Sequence, residues 1–102
     1  MRSTERMRSD RGAVHGSSRP ELAPHVRLRF DSARAQHVLL APESVVVLNG
    51  TGADILGLCD GHRTVAEIMV ELQGRYNRVI DDEVRQFLAR LVAKRCVEMS
   101  DG

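Results

Sequence analysis

Four histidines (His15, His25, His37, His62), two cysteines (Cys59, Cys96) and the triplet Asp81-Asp82-Glu83 are the residues whose types could do chemistry. A metal site needs His, Cys or carboxylate ligands at short, regular spacing. These histidines are scattered, and none pairs with a cysteine or an acid at ligand spacing. Cys59 and Cys96 lie far apart in apolar surroundings, where an unpaired cysteine behaves as a small buried hydrophobe. Adjacent acids on a helix point in different directions, so Asp81, Asp82 and Glu83 cannot converge on a substrate. They suit a helix N-terminus, whose dipole favours negative charge. No G-x-S-x-G elbow and no glycine-rich phosphate loop occurs. The expectation is no catalytic residue, no metal and no cofactor.

Size agrees with binding rather than catalysis. At 102 residues the chain is one small domain, and with Tyr76, Phe30 and Phe87 as its aromatics the core must be aliphatic. Too few residues remain to wall a large substrate cavity. Charge is uneven: residues 1–19 hold five arginines against Glu5 and Asp10, a net of +3, while residues 20–102 hold ten basic and twelve acidic groups, a net of −2. A mildly acidic body has no basic excess to draw it onto nucleic acid. The N-terminus has no signal-peptide core and no apolar run is long enough to span a membrane, so a reducing cytoplasm is expected.

The elements follow from punctuation and period. Residues 1–18, rich in Arg, Ser and Gly, are expected to be a disordered basic tail, and 19–99 the folded domain. Arg19 to Pro24 reads as an extended lead-in between prolines. Val26-Arg27-Leu28-Arg29-Phe30-Asp31 alternates as a half-buried strand does, with Val26, Leu28 and Phe30 expected inward. A second strand, His37 to Ala41, turns at Pro42-Glu43 into a third, Ser44 to Leu48, which is apolar on both faces. Short connections imply an antiparallel meander with the second strand central and the third at an edge. Thr51 is expected to cap a short helix that stops at Asp60-Gly61. Thr64 and Glu67 form a capping box for a second helix, with Val65, Ile68, Met69 and Leu72 buried. A third helix starts at Asp81 and buries Val84, Phe87, Leu88, Leu91 and Val92; Cys96 to Met99 follows as a brief extended tail. The fold class is α+β, a three-stranded antiparallel sheet followed by three α-helices, akin to a winged helix–turn–helix.

Ser44 to Leu48 is unusual because an uncharged apolar edge invites pairing and is normally blunted by charge or proline. Helices or a homodimer mate can cover it. Alternatively an extended peptide adds a strand to it, with a groove between this edge and the third helix supplying side-chain pockets. A winged-helix DNA-binding regulator is the rival from another class, but its recognition helix would start with Asp81-Asp82-Glu83, which repel phosphate.

Arg19-Pro20-x-Leu22, Val26-Arg27-Leu28, Leu39-Leu40-x-Pro42-Glu43, Leu48-Asn49, Ile55-Leu56-x-Leu58-Cys59-Asp60-Gly61, Thr64-Val65-x-Glu67-Ile68, Val84 and Phe87-Leu88-x-x-Leu91 follow in order. In this ordered set the chain resembles the PqqD family, protein D of pyrroloquinoline quinone (PQQ) biosynthesis, over about residues 19–99. The resemblance implies a winged-helix-like recognition element for leader segments of ribosomally made precursor peptides. In that family the domain holds the precursor PqqA and presents it to PqqE, a radical S-adenosylmethionine enzyme that cross-links a Glu and a Tyr of the peptide. Members are also seen as dimers. Carried over by position, the peptide-pairing edge is Val45, Val46, Val47 and Leu48. The facing helix supplies Arg85, Leu88, Ala89 and Val92 as groove residues, with Val84, Phe87 and Leu91 as core. Val46→Pro or Val47→Asp is then expected to weaken peptide binding while sparing the fold.

Overall fold

The computed structural model describes residues 14–101. Strands β1 (Ser18–Leu22), β2 (Arg27–Asp31), β3 (Gln36–Ala41) and β4 (Ser44–Leu48) precede helices α1 (Gly50–Gly57), α2 (Val65–Tyr76) and α3 (Asp81–Ala93), and β5 (Val97–Asp101) closes the chain. The expected meander is present as an antiparallel sheet in the order β2-β3-β4, with β3 central and β4 at an edge.

Cross-strand partners share a face, so the register sorts the side chains. Leu28, Leu39, Val46 and Leu48 lie on the face toward the helices, and Leu39 and Leu48 are buried there. Phe30 shares that face but is 57% exposed, against the expectation that it points into the core. Its partner is His37, beside the 32–35 turn of the β2–β3 hairpin, and α1 packs mainly on β3 and β4. Phe30 meets the His37 ring edge-on, with centroids 5.0 Å apart.

A second sheet joins β1 to β5, antiparallel, from Ser18 opposite Asp101 to Leu22 opposite Val97. The extended lead-in and the extended tail of the sequence reading are these two strands, paired with each other. Pro20 is compatible with β1 because its backbone points away from β5, so the ladder misses no donor there, and its carbonyl accepts from Gly61 N at 3.0 Å. Gly61 makes that approach at φ 81, a conformation that favours glycine. Of the expected tail, residues 1–13 lie outside the described residues. From Val14 onward the chain packs on the body, where Gly16 O accepts from Ala66 N at 3.0 Å and Ser18 opens β1.

Helix boundaries follow local chemistry. Asn49, not Thr51, caps α1: its Oδ1 accepts from Gly52 N at 2.7 Å. The helix begins at Gly50, so Asn49 is the last extended residue and occupies the cap position. The α2 capping box is present, with Glu67 N donating to Thr64 Oγ1 at 3.1 Å and Thr64 N donating to Glu67 Oε1 at 2.8 Å. α3 has no side-chain cap and relies on Asp81, Asp82 and Glu83 in its first turn. It ends in a Schellman motif, Cys96 N to Leu91 O and Arg95 N to Val92 O, both 2.9 Å. Arg95 takes the left-handed position at φ 63, where glycine is usual, and so redirects the chain into β5. Leu39, Ile55, Ile68, Leu72, Ile80, Val84, Leu88 and Leu91 form the aliphatic core among all three helices and β3.

Candidate functional site

Ala41 and Ser44 close the β3–β4 hairpin across only Pro42-Glu43, and a pair so placed can join only by exchanging its own two hydrogen bonds. From there bonded pairs alternate: Leu39 with Val46, and His37 with Leu48. The backbone N–H and C=O groups of Val46 and Leu48 therefore point inward to β3. Those of Val45 and Val47 point out along the free edge. Val45 and Val47 are also 60% and 44% exposed, with side chains on the sheet face away from the helices. The four-residue edge Val45, Val46, Val47 and Leu48 thus divides: Val45 and Val47 offer the open backbone, Val46 is half-buried, and Leu48 is core.

One flank of α3 meets the chain at both ends of β4. Where β4 ends, Asn49, Thr51, Gly52 and Ile55 form a cleft with Glu83, Gln86, Phe87 and Arg90. Where β4 begins, Ser44 and the Pro42-Glu43 turn share a hollow with Lys94 and Arg95. Residues 83, 87, 90 and 94 recur at helical spacing, so they form one stripe beside the core stripe of Val84, Leu88 and Leu91. The α3 residues expected from the sequence to line a groove lie off this stripe. Leu88 is 0% exposed, a core side chain with no access to a groove. Arg85 lies on the opposite flank of α3, against Val79 to Glu83. Val92 lines a separate hollow with Arg95 and Val97 to Met99, and Ala89 falls between Arg85 and Val92 on that same far flank. Phe87, expected in the core, is half-buried at the cleft wall. The local spacing showed α3's core stripe; which neighbouring stripe faces β4 depends on tertiary packing.

The cleft is built closely. A Cβ on Gly52 would fall 2.9 Å from Phe87 Cε1 and 3.3 Å from Asn49 Oδ1, so only glycine lets ring and cap coexist unshifted. At about 180 Å³ the cleft admits one side chain rather than a cofactor, for which sites run to several hundred Å³. The Tyr76 hydroxyl donates to Asp54 and so ties α1 to the end of α2. That bond to the carboxylate, aided by partial desolvation, holds the phenol above its usual pKa.

Electrostatics separate the two charges of the cleft. Arg78 holds Glu83 at 2.6 Å and, through that hydrogen bond, keeps its carboxyl below the usual range. Arg90 stacks over Phe87 at 5.7 Å and, like Lys94, makes no ion pair among the described residues. The thiols are away from the groove and buried. Burial, with the Asp60 charge second, pushes Cys59 up to about 12, and its Sγ donates to Ile55 O at 3.2 Å. A thiol so placed is no nucleophile near neutral pH. No three His, Cys, Asp or Glu side chains among the described residues assemble a metal site. No helix among the described residues is long and apolar enough to cross a membrane.

A family model described as coenzyme PQQ synthesis protein D (PqqD) matches residues 36–97. The bifunctional coenzyme PQQ synthesis protein C/D of Methylorubrum extorquens is 40% identical over 84% of this chain and 24% of its own length. A PqqA binding protein of Rhodopseudomonas palustris (strain BisB5) is 44% identical over 62% of each chain. The chain thus spans about a quarter of the fused relative and under two thirds of the other. Among solved structures, it superposes with a TM-score of 0.76 at 39% identity on the solution NMR structure of the PqqD truncation of Methylobacterium extorquens PqqCD. The match covers 87% of this chain and 98% of that one, a functional, stand-alone recognition element for ribosomally synthesized and post-translationally modified peptides.

Proposed function

The chain belongs to the PqqD family, and from that premise we propose that it recognises a PqqA-type precursor peptide in PQQ biosynthesis by accepting it as a fourth strand on β4. The observation that carries this reading is the outward-pointing backbone of Val45 and Val47 on an edge without a charge, beside a built cleft. Main-chain bonds to these residues hold the peptide, and the α3 flank bearing Phe87, Arg90 and Lys94 selects among its side chains. Relatives named for PqqA binding support the choice of peptide. The hairpin and α3 then act as the wing and helix of a winged-helix arrangement turned to peptide.

The domain does no chemistry itself. It presents the peptide in the cytoplasm to the radical enzyme PqqE, converting a bimolecular search into a local one at raised effective concentration. A short peptide buries less than a standard interface, so affinity of about 1 μM, near −8 kcal/mol, is expected. Calorimetric titration with the PqqA peptide of Methylorubrum extorquens, run with sedimentation of the free protein, tests the reading. Saturable binding with one peptide per chain supports it. No binding, or a free protein already paired edge to edge as a homodimer that peptide cannot open, contradicts it.

A further inference from the structure

Only one of the two ionic groups lining the cleft at the end of β4 is free to meet a ligand. Glu83 is occupied by Arg78 at 2.6 Å, whereas Arg90 has no carboxylate partner among the described residues. Phe87 supports the Arg90 guanidinium from below at 5.7 Å, so its charge sits at the cleft mouth. Nothing opposite it competes: Asn49, Thr51, Gly52 and Ile55 are neutral, and the first turn of α1 has no acid. At about 180 Å³ the cleft takes a single side chain. One turn further along, Lys94 adds a second cation with no ion pair among the described residues, although Glu43 and Glu98 share its hollow and offset it. The positive potential is therefore concentrated at the Arg90 end.

We propose that Arg90 is a specificity-determining residue: the added strand places one acidic side chain in this cleft, where the carboxylate meets the Arg90 guanidinium above Phe87. This rests on strand addition to β4, because only a strand in that register delivers a side chain facing the helices to the end of the groove. A guanidinium forks to both oxygens of a carboxylate, which gives direction as well as charge. Main-chain pairing fixes where the peptide lies but tolerates any register; the acid at Arg90 selects one.

The test pairs protein and peptide variants. The PqqA peptide of Methylorubrum extorquens is titrated into the wild-type protein, Arg90→Gln and Arg90→Lys, alongside peptides in which each Glu or Asp in turn is replaced by its amide. Thermal melts confirm that the exposed Arg90 substitutions leave the fold intact. Arg90→Gln should weaken PqqA binding about tenfold and flatten its salt dependence, and Arg90→Lys should recover part of the loss. One amide peptide should show the same loss with the wild type and no further loss with Arg90→Gln. Equal binding of PqqA by wild type and Arg90→Gln overturns the assignment and leaves strand addition standing. A loss with Arg90→Gln that adds fully to that of every amide peptide overturns it too, because Arg90 then acts without a carboxylate partner. Failure of the wild type to bind PqqA overturns the strand-addition reading itself.

Discussion

β2 and β4 flank the same central strand, yet β2 carries Arg27, Arg29 and Asp31 while β4 has no charged residue from Ser44 to Leu48. On β2 the alternation leaves the backbone of Leu28 and Phe30 facing outward, between charged neighbours that keep that edge in water. On β4 the outward groups belong to Val45 and Val47, and at the two ends of the strand stand Phe87 with Arg90, and Lys94, cations without an ion pair among the described residues. One edge is guarded by charge against pairing, and the other is left open to it. An edge strand's liability becomes a binding device when a helix flank beside it decides which strand can dock.

The largest effect separates two neighbours on the open edge. Val46→Pro removes a donor committed to Leu39 and leaves a carbonyl of the central strand unpaired, so it should cost at least about 2 kcal/mol in a urea melt. Val47→Pro removes only an outward donor, and should keep the melt while lowering PqqA affinity tenfold or more in the same titration. The expectation that Val46→Pro spares the fold is thereby reversed, because the hairpin register turns Val46 inward.

A pH series probes the closed half of the molecule. Cys59 is raised from 9.0 to about 12 on folding, and Tyr76 is raised above 10.0. Both stay protonated in the native state where the unfolded chain ionises, so their stabilisation is complete below pH 9 and is lost as pH climbs from 9 toward 12. At pH 10.5 the loss from Cys59 is about 2 kcal/mol. The urea midpoint should fall accordingly, and Cys59→Ala should flatten that slope.

Gly52→Ala acts at the junction of fold and groove. Its methyl group must displace Phe87 or the Asn49 cap, at about 1–2 kcal/mol of stability, and should weaken peptide binding by narrowing the cleft. The smallest expected effect is Arg95→Gly, which relieves a left-handed non-glycine residue at the end of α3. Chemical denaturation should show a gain of up to about 1 kcal/mol.

Much of this was legible because it is local. The capping box at Thr64, the buried periodicity of α2 and the meander with β4 at its edge each rest on residues a few positions apart. The β1–β5 pair was legible only as two extended ends, since strands some eighty residues apart share no local signature. Phe30 follows the strand's alternation onto the inner face, but burial also needs a covering helix, and α1 packs mainly on β3 and β4. The site divided in the same way. The edge is visible in the sequence as an uncharged run, whereas Arg85, Leu88, Ala89 and Val92, expected to face it, lie off the α3 stripe that carries Phe87 and Arg90. Core periodicity leaves two flanks open, and only the approach of Asn49 and Gly52 to Phe87 selects between them.

Residue-resolved amide hydrogen exchange, with and without the PqqA peptide of Methylorubrum extorquens, tests the open edge most directly. Peptide should slow exchange at Val45 and Val47, while Val46, already bonded to Leu39, and Leu28 and Phe30 on β2 keep their rates. Saturating peptide that leaves Val45 and Val47 unprotected, or protects Leu28 and Phe30 instead, would contradict strand addition at β4.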